Sequence, residues 1–196
     1  MADAVTRLGP VDRDEDHAKT ARRVEREVSA VMTHLPAPMV PDGYVWEGDG
    51  VLPMQGWCQM DSYSCGPVAA FMMLSCFFPG KTFARLVELC AVGEDGSSGS
   101  NIRNALRHYG LRCRITRSLN KRVVDAAIAA GSPILVGVAG EFINCADDHW
   151  MVVHGSRSGG VLLAGHLELG RSSRWVPWAR LNKHLAPEGW GMVVSR

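Results

Sequence analysis

Hydrophobic positions along the chain change their period near its middle, from helical spacing upstream to short unbroken runs downstream. Within the charged stretch from Asp12 to His34, Val24, Val28, Val31 and Leu35 fall on one face, the pattern of an amphipathic helix. The proline-rich segment at 36–43 ends it, and a strand-like aromatic stretch follows near Tyr44–Trp46. The apolar segment from Cys65 to Phe78 is predicted to be a helix stopped by Pro79-Gly80. Thr82 can cap a second helix reaching about Cys90, and Ser100 a third through Tyr109, closed by Gly110. Leu111–Thr116 reads as a strand and Lys121–Ala130 as a helix. Strands then follow at Pro133–Val138, Trp150–His154 and Val161–Ala164, the last two joined by a hairpin turn over 155–160. A short helix at Trp178–His184 and a final strand at Gly191–Val194 complete the pattern. Helices come first and a mostly antiparallel sheet second. That order predicts the α+β class in two layers, with the N-terminal helices packed on the sheet.

At 196 residues the chain has room for one core but hardly for two. The expected division is a charged helical arm over 1–36 and one domain over 37–196. Apolar residues at 46% and charged ones at 21% exclude a disordered or collagen-like chain. The net charge of +1 supplies no global field for nucleic acid, so no nucleic-acid partner is expected. Charge is uneven: residues 1–50 carry 6 basic and 10 acidic side chains, and the arm could pack on the body or on a partner protein. The longest nearly apolar run, 66–78, is too short to span a bilayer, so no membrane segment is expected. The first 30 residues lack the pattern of a secretory signal, which points to a cytoplasmic protein with its six thiols reduced.

Those thiols are candidates for packing, metal binding or catalysis. The informative segment is Gln59-Met-Asp-Ser-Tyr-Ser-Cys65-Gly-Pro. A cysteine in the first turn of an apolar helix sits in the positive field of the helix N-terminus, which favours the thiolate. Gly66 would allow close approach of a substrate backbone, and Pro67 is tolerated in a first turn. The Cys65 N–H and the Gln59 side-chain amide are candidate oxyanion donors. His149, entering an apolar strand, is the candidate base, brought near by folding and not by sequence. Cys76 and Cys90 fall on apolar helical faces. Cys58, Cys113 and Cys145 complete the set, with Cys58 either a packing residue or a second reactive thiol. No pair has C-x-x-C spacing, so neither a metal nor another cofactor is expected. Gly80-Lys81-Thr82 fails as a phosphate loop because Ser75 stands where the earlier glycine is required.

QMDSYSCGPVAAFMML resembles the nucleophile segment of the bacteriocin-processing, double-glycine leader cysteine peptidases of the papain-like superfamily. In these a Gln lies six residues before the catalytic Cys, as Gln59 does before Cys65. The resemblance continues through GSSGSNIRNALRHYGLRCRI, GSPILVGV and HWMVVHG to VLLAG, over roughly 53–195. Phytochelatin synthases share the Gln-to-Cys spacing and resemble the stretch ending in Trp175-Val-Pro177. The resemblance implies a papain-like fold with Cys65 as nucleophile, His149 as base and Gln59 at the oxyanion. It also implies a peptide substrate cleaved through a thioester. An acyltransferase is the alternative within enzymes, and a peptide-binding domain that no longer cleaves is the alternative outside them.

One departure stands out. These families place an Asp or Asn about sixteen residues beyond the His, and here that position is Gly165. A simple hairpin pairing His154 with Val161 would put His149 opposite His166. The candidate substitutes are His166, Glu168, Asp147 and Asn144, or backbone and water.

Overall fold

Thirteen residues from Cys65 to Phe77 form helix α1, and nine of them are buried. A helix apolar on almost every side must be covered on almost every side. The structure, a computed structural model, describes residues 50–55, 64–79, 83, 85–93, 96–143, 147–165, 173–186 and 189–196. The N-terminal arm, the Tyr44–Trp46 stretch, Trp57, Cys58, Gln59, Thr82, Asn144, Cys145, His166 and Glu168 lie outside the described residues.

Helix α2 is a single turn, Leu86–Leu89, shorter than the sequence pattern predicts. Helix α3 spans Gly99–His108 and its cap is Ser98, not Ser100. Ser98 has the extended backbone of a capping residue, and its hydroxyl accepts the Asn101 N–H at 3.2 Å. Ser100 is already inside the first turn, with its hydroxyl bonded to that of Ser98. Strand β1 (Arg112–Thr116) and helix α4 (Lys121–Ala129), capped by Asn120, follow as predicted.

The sheet is completed by β2 (Ile134–Val138), β3 (His149–Arg157), β4 (Gly160–Ala164), β5 (Ser173–Pro177) and β6 (Gly191–Ser195). Helix α5, Trp178–His184, lies between β5 and β6. Strand order is β1-β6-β2-β3-β4-β5, and every pairing is antiparallel. All five residues of β2 and of β4 are buried, so both sheet faces must be covered. On one face Leu135, Val152, Ala164 and Met192 meet Met72, Met73, Ile102 and Leu106 of the helical layer. On the other, Val136, Met151, Val153 and Leu163 meet Val124 and Ile128 of α4 and Leu181 of α5. The α+β class and the helical layer that carries Cys65, packed on an antiparallel sheet, are as expected. The second helical layer corrects the two-layer expectation, and its signal is the unbroken apolar run Ile134–Val138.

The β3–β4 hairpin turns at Ser158-Gly159, and Gly155–Arg157 belong to the strand. Val161 pairs with Ser156, not with His154, and the register shifts between Val153 and Gly155. His154 is the extra residue of this bulge. Its carbonyl accepts the Leu52 N–H at 2.7 Å, while its Nδ1 bonds the Leu52 carbonyl at 3.2 Å. Nε2 lies 2.8 Å from Ser173 Oγ. A carbonyl can only accept, so Nδ1 carries the proton and neutral Nε2 accepts from the Ser173 hydroxyl. The bulge thus docks the strap 50–55, which also gives its Gln55 N–H to Ser75 Oγ of α1 at 2.9 Å.

Burial pushes the His154 imidazole down from 6.5 to about 4. The unfolded chain therefore binds this proton first as pH falls. Stability is expected to drop between pH 6.5 and 4, by about 3 kcal/mol from this residue, and to flatten below. Denaturant titrations across that range should show the slope, and His154→Gln should remove it.

Candidate active site

Cys65 is the first residue of α1 and is 8% exposed. The intrahelical ladder opens with Val68 N–H to the Ser64 carbonyl at 3.1 Å. The N–H groups of Cys65 and Gly66 lie outside that ladder, and Pro67 has none to lose. The thiol therefore stands at the positive end of a three-turn helix, where a developing thiolate is stabilised.

Gly66 has a role other than admitting substrate. A Cβ there would lie 2.6 Å from Ser97 Cβ and 2.9 Å from Ser97 Oγ. The first turn of α1 is thus seated directly on the loop before α3. Ser97 in turn accepts the Trp150 indole N–H on its carbonyl at 2.7 Å. Trp150 packs edge-to-face on Trp190, with ring centroids 5.3 Å apart. Both rings close over Gly99, where a Cβ would stand 3.1 Å from each. Gly66 follows Cys65 and Trp150 follows His149, so Ser97 ties together the immediate neighbours of both candidate residues. Helix α1 also packs against β3. The loop before α3 is thus the clamp between the helix that Cys65 opens and the strand that His149 opens.

His149 opens β3, pairs with Val138 of β2 and is 6% exposed. Its Nε2 lies 2.6 Å from the Gly165 carbonyl oxygen. The oxygen has no proton to give, so Nε2–H donates and Nδ1 is the remaining ring nitrogen. Gly165 itself has φ +110°, and a Cβ on it would meet the Trp150 carbonyl oxygen at 3.2 Å and Met151 Cα at 3.3 Å. The bulge at His154 sets this register, pairing Val152 with Ala164 and bringing Gly165 against Met151. Asp147 and Asp148, just upstream of the histidine, are exposed.

The other thiols differ from Cys65 in setting. Burial pushes Cys76 and Cys90 up to about 12, with a backbone hydrogen bond opposing it slightly for Cys76. Burial also raises Cys113, against the pull of Arg107 and Arg103. At neutral pH a thiol with a value near 12 is ionised in only about 10⁻⁵ of molecules, which fits packing roles for Cys76 and Cys90. A cavity of about 480 Å³ between β1, β6 and α4 is lined by Cys113, Arg112 and Arg114. Neither Cys65 nor His149 lines it. Among the described residues no helix is long and apolar enough to cross a membrane.

A cysteine opening a buried helix, packed on an antiparallel sheet whose histidine begins a strand, is the architecture of papain-like cysteine peptidases. Residues 55–183 match the peptidase C39 family, and the chain belongs to it. Solved structures agree on the fold. The first is a double-glycine motif protease from an AMS/PCAT transporter, in complex with the leader peptide. It is 17% identical with a TM-score of 0.57, over 74% of this chain and 94% of its own. The peptidase domain of Streptococcus ComA, a bifunctional ABC transporter of a quorum-sensing pathway, is 16% identical with a TM-score of 0.57. That match covers 70% of this chain and 95% of the domain. A C39-like peptidase from Bacillus anthracis is 13% identical with a TM-score of 0.56, over 76% and 98%. No curated protein matches the chain.

Proposed function

We propose that the protein is a cysteine peptidase that cleaves a peptide amide through a thioester on Cys65. The observation that carries this reading is the C39 match spanning both Cys65 and His149, with the imidazole anchored at the head of β3. In the proposed cycle, Cys65 Sγ attacks the scissile carbonyl while its proton passes to His149 Nδ1. The Gln59 amide and the Cys65 N–H stabilise the oxyanion. Collapse of the tetrahedral intermediate breaks the C–N bond, and Nδ1 returns the proton to the leaving amine. Water, deprotonated by the same nitrogen, then opens the thioester to release a carboxylic acid and restore the thiol. The chemistry needs a reduced thiol, in keeping with a cytoplasmic setting and with no cofactor.

Of the similar structures, one is named a double-glycine motif protease in complex with the leader peptide, and another the peptidase domain of a transporter in a quorum-sensing pathway. These support a peptide bearing a double-glycine motif as the substrate class. The test is to incubate the chain with such peptides and analyse the products by mass spectrometry, with and without an added amine. A free acid at the double glycine is expected. Conversion chiefly to an amine adduct would make it an acyltransferase, and tight binding without cleavage would make it a leader-binding domain; either result overturns the peptidase reading.

A further inference from the structure

We infer that the Gly165 backbone carbonyl is the group that positions the His149 base, in the place of the side-chain carboxylate or amide that the resemblance leads one to expect. The inference rests on the reading of His149 as the base and specifies how that base is held. The contact itself, the tautomer it requires and the backbone that presents it all support this. The bond itself is 2.6 Å long and sheltered, since His149 is 6% exposed and Gly165 is buried. Its acceptor is a carbonyl, which admits only the Nε2–H tautomer and leaves Nδ1 as the atom that can take the thiol proton. The backbone that presents this carbonyl has φ +110°, a conformation that glycine adopts and L side chains rarely do.

The surroundings keep that carbonyl in place. A Cβ at Gly165 would press on the Trp150 carbonyl oxygen and Met151 Cα, and would sit 3.5 Å from Met72 Cε of α1. The one-residue shift at His154 sets the register in which Gly165 arrives there. The chain has therefore exchanged a side chain for its own backbone at this point. During attack the Cys65 proton moves to Nδ1, giving an imidazolium whose Nε2–H stays on Gly165. When the amine leaves, Nδ1 returns that proton and the neutral tautomer is restored. A carbonyl contributes a dipole and not a full negative charge, so it fixes ring orientation and tautomer while stabilising the imidazolium less than a carboxylate would.

The experiment reads the tautomer in the intact chain. Long-range proton–nitrogen correlation of the histidine rings, with His149 assigned by its loss in His149→Gln, is expected to show the neutral ring protonated at Nε2 and bare at Nδ1. Gly165→Ala keeps the carbonyl but forces its backbone out of φ +110°. It is expected to shift the His149 tautomer signals and to slow Cys65 alkylation about tenfold or more, lowering kcat with little change in KM. A wild-type ring protonated at Nδ1 would overturn the inference, as would a folded Gly165→Ala protein with unchanged signals and alkylation. A tautomer change on Asp147→Asn would overturn it as well, by assigning the role to a side chain. If Gly165→Ala does not fold, the wild-type spectrum still decides. An inert Cys65 beside an Nε2-protonated ring would sink the peptidase reading and leave the ring contact standing, so the two failures are separable.

Discussion

Cys65→Ala is expected to abolish peptide cleavage, lowering turnover by about 10⁴-fold or more, while peptide affinity stays within about threefold. In the proposed cycle the thioester forms on that sulfur, so no other residue would take over the step, and the oxyanion donors alone would leave only a small residual rate. The fold should survive the change. Cys65 sits at the very start of α1, and alanine is a good helix former there that removes a single sulfur atom. A loss of about 1 kcal/mol of stability is the expected cost. Single-turnover assays followed by mass spectrometry, with circular dichroism as the fold check, separate the two effects. Full activity in a folded Cys65→Ala protein would remove the nucleophile from the account.

Gly165→Asp carries the second large effect, and its sign is the opposite of what the sequence alone suggests. Sequence reasoning treats Gly165 as a gap that a carboxylate could fill. In the structure the position is neither empty nor neutral. Its backbone lies at φ +110°, and a Cβ would touch two main-chain atoms, from Trp150 and Met151, that cannot rotate away. Aspartate there is expected to cost about 1–3 kcal/mol, from backbone strain and overpacking together. For a chain of this size that lowers Tm by a few degrees per kcal/mol, roughly 2–4 °C each. It should also slow Cys65 alkylation, because the carbonyl must move for the side chain to fit. A folded Gly165→Asp protein with a faster thiol would show that only a carboxylate was missing.

These two residues also mark which structural features the sequence makes legible and which it does not. The place of Cys65 at the head of α1 is legible because its signal is carried by side chains: an apolar run that must be covered and a proline tolerated in the first turn. The strands of the second half are legible for a similar reason, since Ile134–Val138 and Val161–Ala164 are runs that only a covered sheet can bury. The same runs also signal the second helical layer. By contrast, the tight turn at Ser158-Gly159 sets the register two residues away from the simple pairing, and the His154 bulge takes one of the two back, so Val161 meets Ser156 while Val152 meets Ala164; neither step disturbs the apolar pattern. Ser98 and Ser100 are equally good caps by type, and only the backbone angles separate them. Strand β5 escapes because Ser173–Pro177 alternates a serine, an arginine and a tryptophan with one buried valine. The Gly165 carbonyl has no sequence signal at all, because every residue carries a carbonyl and only the fold decides which one meets an imidazole. Gly66 shows the converse: the residue is plain in sequence, but its close packing on Ser97 is not.

The most direct test of the central claim is the rate at which each cysteine is alkylated near neutral pH, mapped by peptide mass spectrometry. A nucleophilic Cys65 paired with His149 predicts that Cys65 reacts first, ahead of Cys113 and far ahead of Cys76 and Cys90, whose burial holds them near 12. It also predicts that His149→Ala slows Cys65 at least tenfold without changing the others. A Cys65 no faster than Cys113, or one indifferent to the loss of His149, would contradict it.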